Sequence, residues 1–206
     1  MVERKTWTPT DVVDVSGPAA LLRNYLEQRE VRGYLQQAAL AAPVARAYDI
    51  GCGFGRLTPV LAEVAAETVG FERETSLVAT ARLLLPGLTF KEVSSLDMLP
   101  AADATGQFVM TFTVLQHMPD PLAERVLAEI VRVAATDAHI LLCEETDAAL
   151  EAGVASVADL GYTRGRSVAW YAARLSPFTL VATAPRIIEP GYPRPDVGTF
   201  MFFKGR

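Results

Sequence analysis

Ala47-Tyr48-Asp49-Ile50-Gly51-Cys52-Gly53-Phe54-Gly55-Arg56-Leu57-Thr58 is the stretch whose reading decides the fold. An apolar run ends in an acid, three glycines follow at alternate positions, and an amphipathic helix begins. Alternate glycines remove every second Cβ, so the backbone can turn sharply and lie flush against a ligand. The helix that follows points its free N–H groups at that ligand. A strand–loop–helix unit of this kind, at the carboxyl end of a parallel sheet, is where open α/β folds bind cofactors.

Working outward, short apolar segments alternate with helical periodicity. Strand one covers about Ala45–Ile50, and a helix is expected over Arg56–Ala66 with Leu57, Val60, Leu61 and Val64 on one face. Strand two, Thr68–Phe71, ends at Glu72, 21 residues after Gly51. That interval suits an acid that takes the ribose hydroxyls through charge-assisted hydrogen bonds. A helix over Thr75–Leu85 stops at Pro86-Gly87, strand three follows at Leu88–Val93, and strand four at Gln107–Thr113. Asp120-Pro121 opens a helix, with Asp120 as its expected cap, and strand five is about His139–Cys143. A helix over Ser167–Leu175, a long strand Phe178–Ile188 and a last strand Thr199–Lys204 complete the chain. The ten-residue connection between the two strands suits a hairpin and is too short for a crossover helix. Before strand one, Ser16-Gly17-Pro18 starts a helix, a second helical run begins at Val31, and Pro43 ends it.

Composition narrows the function. The chain has 206 residues, half of them hydrophobic, with a net charge of −5. That length suits one α/β domain with short additions. The acidic balance disfavours binding to a phosphate backbone, so no nucleic-acid partner is expected. Two cysteines and two histidines, none in metal-ligand spacing, point to no metal site and no disulfide framework. Residues 1–10 lack an apolar core, and no apolar run approaches membrane-spanning length, so a cytoplasmic protein without a membrane partner is expected. The oligomeric state is not legible.

Asp49-x-Gly51-x-Gly53-x-Gly55 resembles the first motif of class I S-adenosylmethionine-dependent methyltransferases. Val114-Leu115-Gln116-His117-Met118-Pro119 resembles the segment after strand four in small-molecule members of that family. A dinucleotide fingerprint would need a small residue where Arg56 stands, which argues against a nicotinamide-dependent oxidoreductase. Gln107, where an Asp is usual, and Ala135-Thr136-Asp137-Ala138, where Lys-Pro-Gly-Gly is usual, depart from the pattern. They leave open a non-catalytic scaffold that keeps the fold.

The resemblance implies an α/β, doubly wound, Rossmann-like seven-stranded sheet, mostly parallel, with an antiparallel last strand in a C-terminal hairpin. It also implies S-adenosylmethionine as cofactor and methyl transfer to an oxygen or nitrogen of a small-molecule acceptor. Residues 1–206 form a single domain on this reading. Residues 1–43 are an arm and helices over the cofactor and acceptor site, 44–145 the cofactor-binding core, and 146–206 the acceptor-side segment and hairpin. Asp49, Gly51, Cys52, Gly53, Gly55, Arg56, Glu72, Arg73, Ser95, Leu96, Asp97, Thr111 and Phe112 are the expected cofactor-binding residues. His117 and Glu144 are the expected catalytic residues, with Glu145 as an alternative to Glu144. A neutral imidazole beside the methyl donor could take the proton of an acceptor hydroxyl or amine. Trp7, Tyr25, Arg32, Tyr34, Tyr162, Arg164, Arg166, Tyr192 and Arg194 are candidates to shape the acceptor site.

Overall fold

The computed structural model describes residues 18–146, 156–158, 161–189, 192–193 and 198–206. In chain order the elements are α1 (Pro18–Ala41), β1 (Val44–Ile50), α2 (Thr58–Ala62), β2 (Ala65–Glu72), α3 (Thr75–Leu84), β3 (Thr89–Glu92) and β4 (Gly106–Phe112). A 3-10 turn (Leu115–His117), α4 (Asp120–Val133), β5 (Ala134–Glu144), β6 (Ser156–Ala158), β7 (Gly161–Thr163) and α5 (Val168–Arg174) follow. The chain closes with β8 (Thr179–Pro185), β9 (Ile187–Glu189), β10 (Tyr192–Pro193) and β11 (Thr199–Lys204).

Seven strands form one sheet in the order β3-β2-β1-β4-β5-β11-β8. The first five pair in parallel, and β11 is antiparallel to both β5 and β8. The expected doubly wound sheet with a C-terminal hairpin is therefore the observed one. Its strand order reverses between β1 and β4, and ligands of open α/β sheets sit outside the strand tips at such a reversal.

Alternation along the strands builds two cores. Phe108, Met110 and Phe112 of β4, with Leu141, Cys143, Phe200 and Phe202, face Val31, Tyr34, Leu35 and Ala38 of α1 and Val60 and Leu61 of α2. Val109, Ile140, Leu142, Met201 and Phe203 face the opposite layer, where α4 contributes Val126, Leu127, Ile130 and Val133, and α5 Tyr171. The period of two in the strands and of about 3.6 in the helices is what sorts these side chains.

Several boundaries differ from the periodicity. The two N-terminal helical runs are one continuous helix of 24 residues, with no proline after Pro18 to break it. The helix after the glycine loop is only five residues long. The chain enters β2 early, where Ala65 and Glu67 pair with Val44 and Arg46 and an Arg46–Glu67 ion pair at 2.6 Å spans the two strands. β5 starts directly after α4, so Ala135-Thr136-Asp137-Ala138, where the family pattern has Lys-Pro-Gly-Gly, is strand. Asp120 does not cap α4: Pro119 occupies that position, and no side chain caps it. The long strand expected over 178–188 divides into β8 and β9, with β9 pairing with β10. Gly161–Thr163 is a short strand that pairs antiparallel with Ser156–Ala158. The expected arm over 1–16, the helix start at Ser16-Gly17, Trp7, Arg194 and residues 147–155 lie outside the described residues, as do the side chains of Tyr162 and Tyr192.

Phe203 is fully buried on β11 within the larger core. Phe203→Ala is expected to cost about 3–5 kcal/mol of stability, read from the urea midpoint, because the hairpin is part of the sheet and not an appendage.

Candidate active site

The glycine loop leaves β1 through three left-handed residues, Gly51, Gly53 and Gly55, with φ of 73°, 57° and 83°. An L side chain is strained at each of these angles. Gly51 also has no room for one: a Cβ there would sit 2.6 Å from a methyl of Val114. The missing side chain lets the turn after β4 close against the loop. The amides of Gly51 and Cys52 are fixed by the Phe71 carbonyl at 2.8 and 3.1 Å.

Two acids frame this loop. Asp49 is buried and accepts a hydrogen bond from the Thr58 hydroxyl at 2.6 Å, joining the end of β1 to the start of α2. Burial pushes its carboxyl up to about 6, against the opposing effects of Thr58 and Arg56. Glu72, at the tip of β2, turns back over the loop. It accepts from the Gly53 amide at 2.9 Å, and from the amides of Arg73 and Glu74 at 2.7 and 3.0 Å. The acid named from spacing and the glycine loop are thus in direct contact. Arg73 makes an ion pair with Glu74 at 2.6 Å.

The turn after β4 is the third part. Thr113 adopts a left-handed φ of 54°, a strained conformation for a β-branched residue. Glu144, at the end of β5, is fully buried beneath it. Its carboxylate accepts from Thr111 Oγ1 at 3.0 Å and from the amides of Val114 and Gln116 at 3.2 and 3.0 Å. Burial raises its proton affinity, and these donors oppose that rise. Sealed from solvent and occupied on both oxygens, Glu144 braces the turn from within and is not presented to an acceptor. His117 ends the 3-10 turn, half-buried, with its amide on the Val114 carbonyl. Glu145 exchanges hydrogen bonds with the Gln116 amide side chain at 3.3 and 3.0 Å.

Other expected residues divide by what they touch. Thr111 points its hydroxyl at Glu144 and is fully buried. Cys52 buries its thiol with Val78, Ala81 and Phe90, so it offers a ligand only its backbone. Leu96 is buried in the larger core. Asp97 is held below the usual carboxylate range, first by the Ser95 hydroxyl and then by Arg125, which lies 2.7 Å away. Phe112 lies at the tip of β4 against Phe200, beneath the guanidinium groups of Arg56 and Arg186.

The acceptor-side arginines are committed to the protein. Arg164 pairs with Asp120 at 2.7 Å. Arg166 pairs with the same acid at 2.9 Å and also holds the Leu115 carbonyl at 2.8 Å. Arg32 makes a two-toothed pair with Glu63. Tyr34 is core, packed on Phe200 and Phe202, whereas Tyr25 is exposed.

Sequence reading missed Glu27 and Arg186, which meet Arg56 in one buried ion cluster. No motif marks either residue. The available signal was a lone arginine inside an otherwise uncharged strand pattern. No group of ligating side chains suited to a metal ion occurs among the described residues, and none of their helices is long and apolar enough to cross a membrane.

Comparison with known proteins places this geometry. Residues 48–142 match the family model described as a methyltransferase domain. The ubiquinone biosynthesis O-methyltransferase of Xanthomonas campestris is 36% identical over 91 residues, which are 42% of this chain and 38% of that protein. The chain thus matches well under half the length of that curated relative. Among solved structures, a Pyrococcus horikoshii protein superposes with a TM-score of 0.72 at 14% identity, covering 96% of both chains. The N-methyltransferase NodS of Bradyrhizobium japonicum, crystallised with S-adenosyl-L-homocysteine, gives 0.68 at 14% identity over 93% of this chain and 89% of its own. At such identities the likeness is one of fold.

Asp49 makes stability depend on pH. Its carboxyl titrates near 6 in the fold against 3.8 when unperturbed, so ionisation between those values favours the unfolded chain. The stabilisation present at lower pH is lost as pH rises through this window. Asp49→Asn keeps an acceptor for Thr58 and carries no charge. It is expected to melt above the wild type at pH 7–8, the gap closing towards pH 4, in thermal melts run across that range.

Proposed function

We propose that the protein, whose residues 48–142 match a methyltransferase-domain model, transfers a methyl group from S-adenosylmethionine to an oxygen or nitrogen of a small-molecule acceptor. The observation that carries this reading is the hydrogen bond from the Gly53 amide to Glu72. It brings the phosphate-free glycine loop and the strand-two acid to one side of the β1–β4 reversal, the two halves of a nucleoside-binding site. The domain arrangement follows: 44–145 hold the cofactor, while 1–43 and 146–206 supply the acceptor side.

The residues present fit S-adenosylmethionine. The glycine loop offers a flat, side-chain-free backbone to the amino-acid end. Glu72 accepts three amide hydrogen bonds of the roughly four a carboxylate can take, which leaves capacity for a ribose hydroxyl. Ser95, Leu96 and Asp97, after β3, are the candidates for the adenine side, and Phe112, at the tip of β4, is the candidate for the reacting end.

When bound, the cofactor supplies a methyl group already activated on a cationic sulfur. What remains for the chain is alignment, which can be worth an effective molarity of roughly 10⁵–10⁸ M. Glu144 and Arg166 hold the turn after β4 rigid, so that His117 has a fixed position beside the acceptor. The His117 imidazole takes the proton from an acceptor hydroxyl. An amine that enters neutral needs no such base. Glu144 itself serves by bracing that turn.

Isothermal calorimetry with S-adenosylhomocysteine tests the reading. The wild type is expected to bind it, and Glu72→Ala to bind it about 10- to 100-fold more weakly, the loss of hydrogen bonds to a charged group. A wild type that binds neither S-adenosylmethionine nor its product would be a scaffold. His117→Ala is expected to lower kcat by about 10²–10⁴-fold on a hydroxyl acceptor while leaving S-adenosylhomocysteine affinity unchanged. Loss of affinity with kcat retained would make His117 structural.

A further inference from the structure

The partners of the buried acids at the strand tips set one of them apart. Glu27 faces the guanidinium groups of Arg23, Arg56 and Arg186. Glu72 accepts from three backbone amides. Glu144 accepts from two amides and the Thr111 hydroxyl, using both oxygens. Asp49 has a single donor, the Thr58 hydroxyl, on Oδ2. Its Oδ1 has no hydrogen-bond partner among the described residues and is not sealed from solvent.

Asp49 also stands at the root of the glycine loop. One residue separates it from Gly51, the first left-handed position. It lies beside Gly70 of β2 and Met110 of β4, at the centre of the sheet. Its side chain shares a face with Ala47 and Met110, both fully buried apolar residues.

The charged and titratable groups around it can be named. Burial raises its carboxyl to about 6; Thr58 on α2 and Arg56 at the loop exit oppose that rise, and Glu72 on β2 adds to it. Arg56 makes its ion pair with Glu27, at 2.6 Å, and none with Asp49. The Cys52 thiol, on the loop itself, is pushed well above its ordinary range, first by burial and then by Asp49 and Glu72, so it stays neutral.

S-adenosylmethionine and S-adenosylhomocysteine differ by one methyl group and one positive charge. A carboxylate in apolar surroundings responds to such a charge without contact, because the field is weakly screened there. We propose that Asp49 is the specificity-determining residue between donor and product: its ionised carboxylate, without touching the ligand, favours the sulfonium over the thioether. The inference rests on the methyltransferase reading above. Linkage fixes the sign. Protonated Asp49 is blind to the charge on sulfur. Ionised Asp49 favours the cation, and by reciprocity a bound cation drives the Asp49 proton to solvent. Preference for the donor therefore grows as pH rises through the range around 6. The ammonium and carboxylate are common to both ligands and drop out of the ratio. At neutral pH the product is held less firmly than the donor, which favours exchange.

Isothermal calorimetry with each ligand at pH 5 and pH 8, without acceptor, tests this. The ratio of the two dissociation constants is expected to shift about 3- to 10-fold towards S-adenosylmethionine between those values, the effect of one unit charge on a carboxylate it does not touch. At pH 6 its binding should release more protons than that of S-adenosylhomocysteine, read from heats in buffers of different ionisation enthalpy. Asp49→Asn should flatten the ratio while still binding both ligands. Thr58→Val removes the hydroxyl that favours the ionised form and should move the change to higher pH. Histidine also titrates in this range, and His117→Ala should leave the dependence intact. A wild-type ratio equal at the two pH values overturns the proposal. So does an Asp49→Asn protein that keeps the dependence, or a His117→Ala protein that loses it. If Asp49→Asn does not fold, the wild-type ratio and the Thr58→Val shift decide. A wild type that binds neither ligand at any pH fails earlier and overturns the methyltransferase reading itself.

Discussion

The site depends on one close approach, that of the Val114 side chain to the missing Cβ of Gly51. At this point β1 and β4 run side by side while the chain leaves them towards opposite faces of the sheet. Any side chain at Gly51 would push the two exits apart. The approach is held from both sides. The Phe71 carbonyl fixes the amides of Gly51 and Cys52, and the Glu144 carboxylate fixes the amides of Val114 and Gln116. Neighbouring strands thus position the tips of β1 and β4, and the loops themselves contribute little to their own geometry. Sites assembled on the tips of a rigid sheet gain their accuracy in this way.

Four buried acids near those tips show how environment assigns roles to one chemical group. Asp49 has a single hydroxyl donor and a high proton affinity. Glu144 has several donors and burial that outweighs them. Glu27 has three guanidinium partners that outweigh burial and keep it ionised. Glu72 sits among backbone amides at the start of α3, where a carboxylate is welcome. It is the one of the four that accepts from the glycine loop, at the Gly53 amide, which is why it is the ribose candidate.

Much of this was legible in the residues because the local signals were strong and mutually consistent. Alternate glycines after an apolar run, an acid at the right interval and the Leu115-x-His117-x-Pro119 segment each have a short-range cause. The exact match of the Thr199–Lys204 strand has one too, in an unbroken run of β-favouring residues. Misreadings arose where long-range partners decide. Arg164 and Arg166 look like free cations in the sequence, but Asp120, more than forty residues earlier, claims both. Glu144 looks like a catalytic acid until β4 is laid beside it. The helix at 56–66 loses its second half to pairing with β1, a tertiary override of helical periodicity.

The Glu27 cluster joins parts of the chain that lie far apart in sequence. Its charges come from α1, from the exit of the glycine loop and from the segment joining β8 to β9. Withdrawing any one element would leave buried charge without its partner, a change that typically costs several kcal/mol. Helix α1 is accordingly not a lid that swings freely on its apolar contacts. It also packs Val31, Leu35 and Ala38 into the core beneath the cluster. The same ion cluster ties helix α1 to the exit of the glycine loop and to the segment that joins β8 to β9.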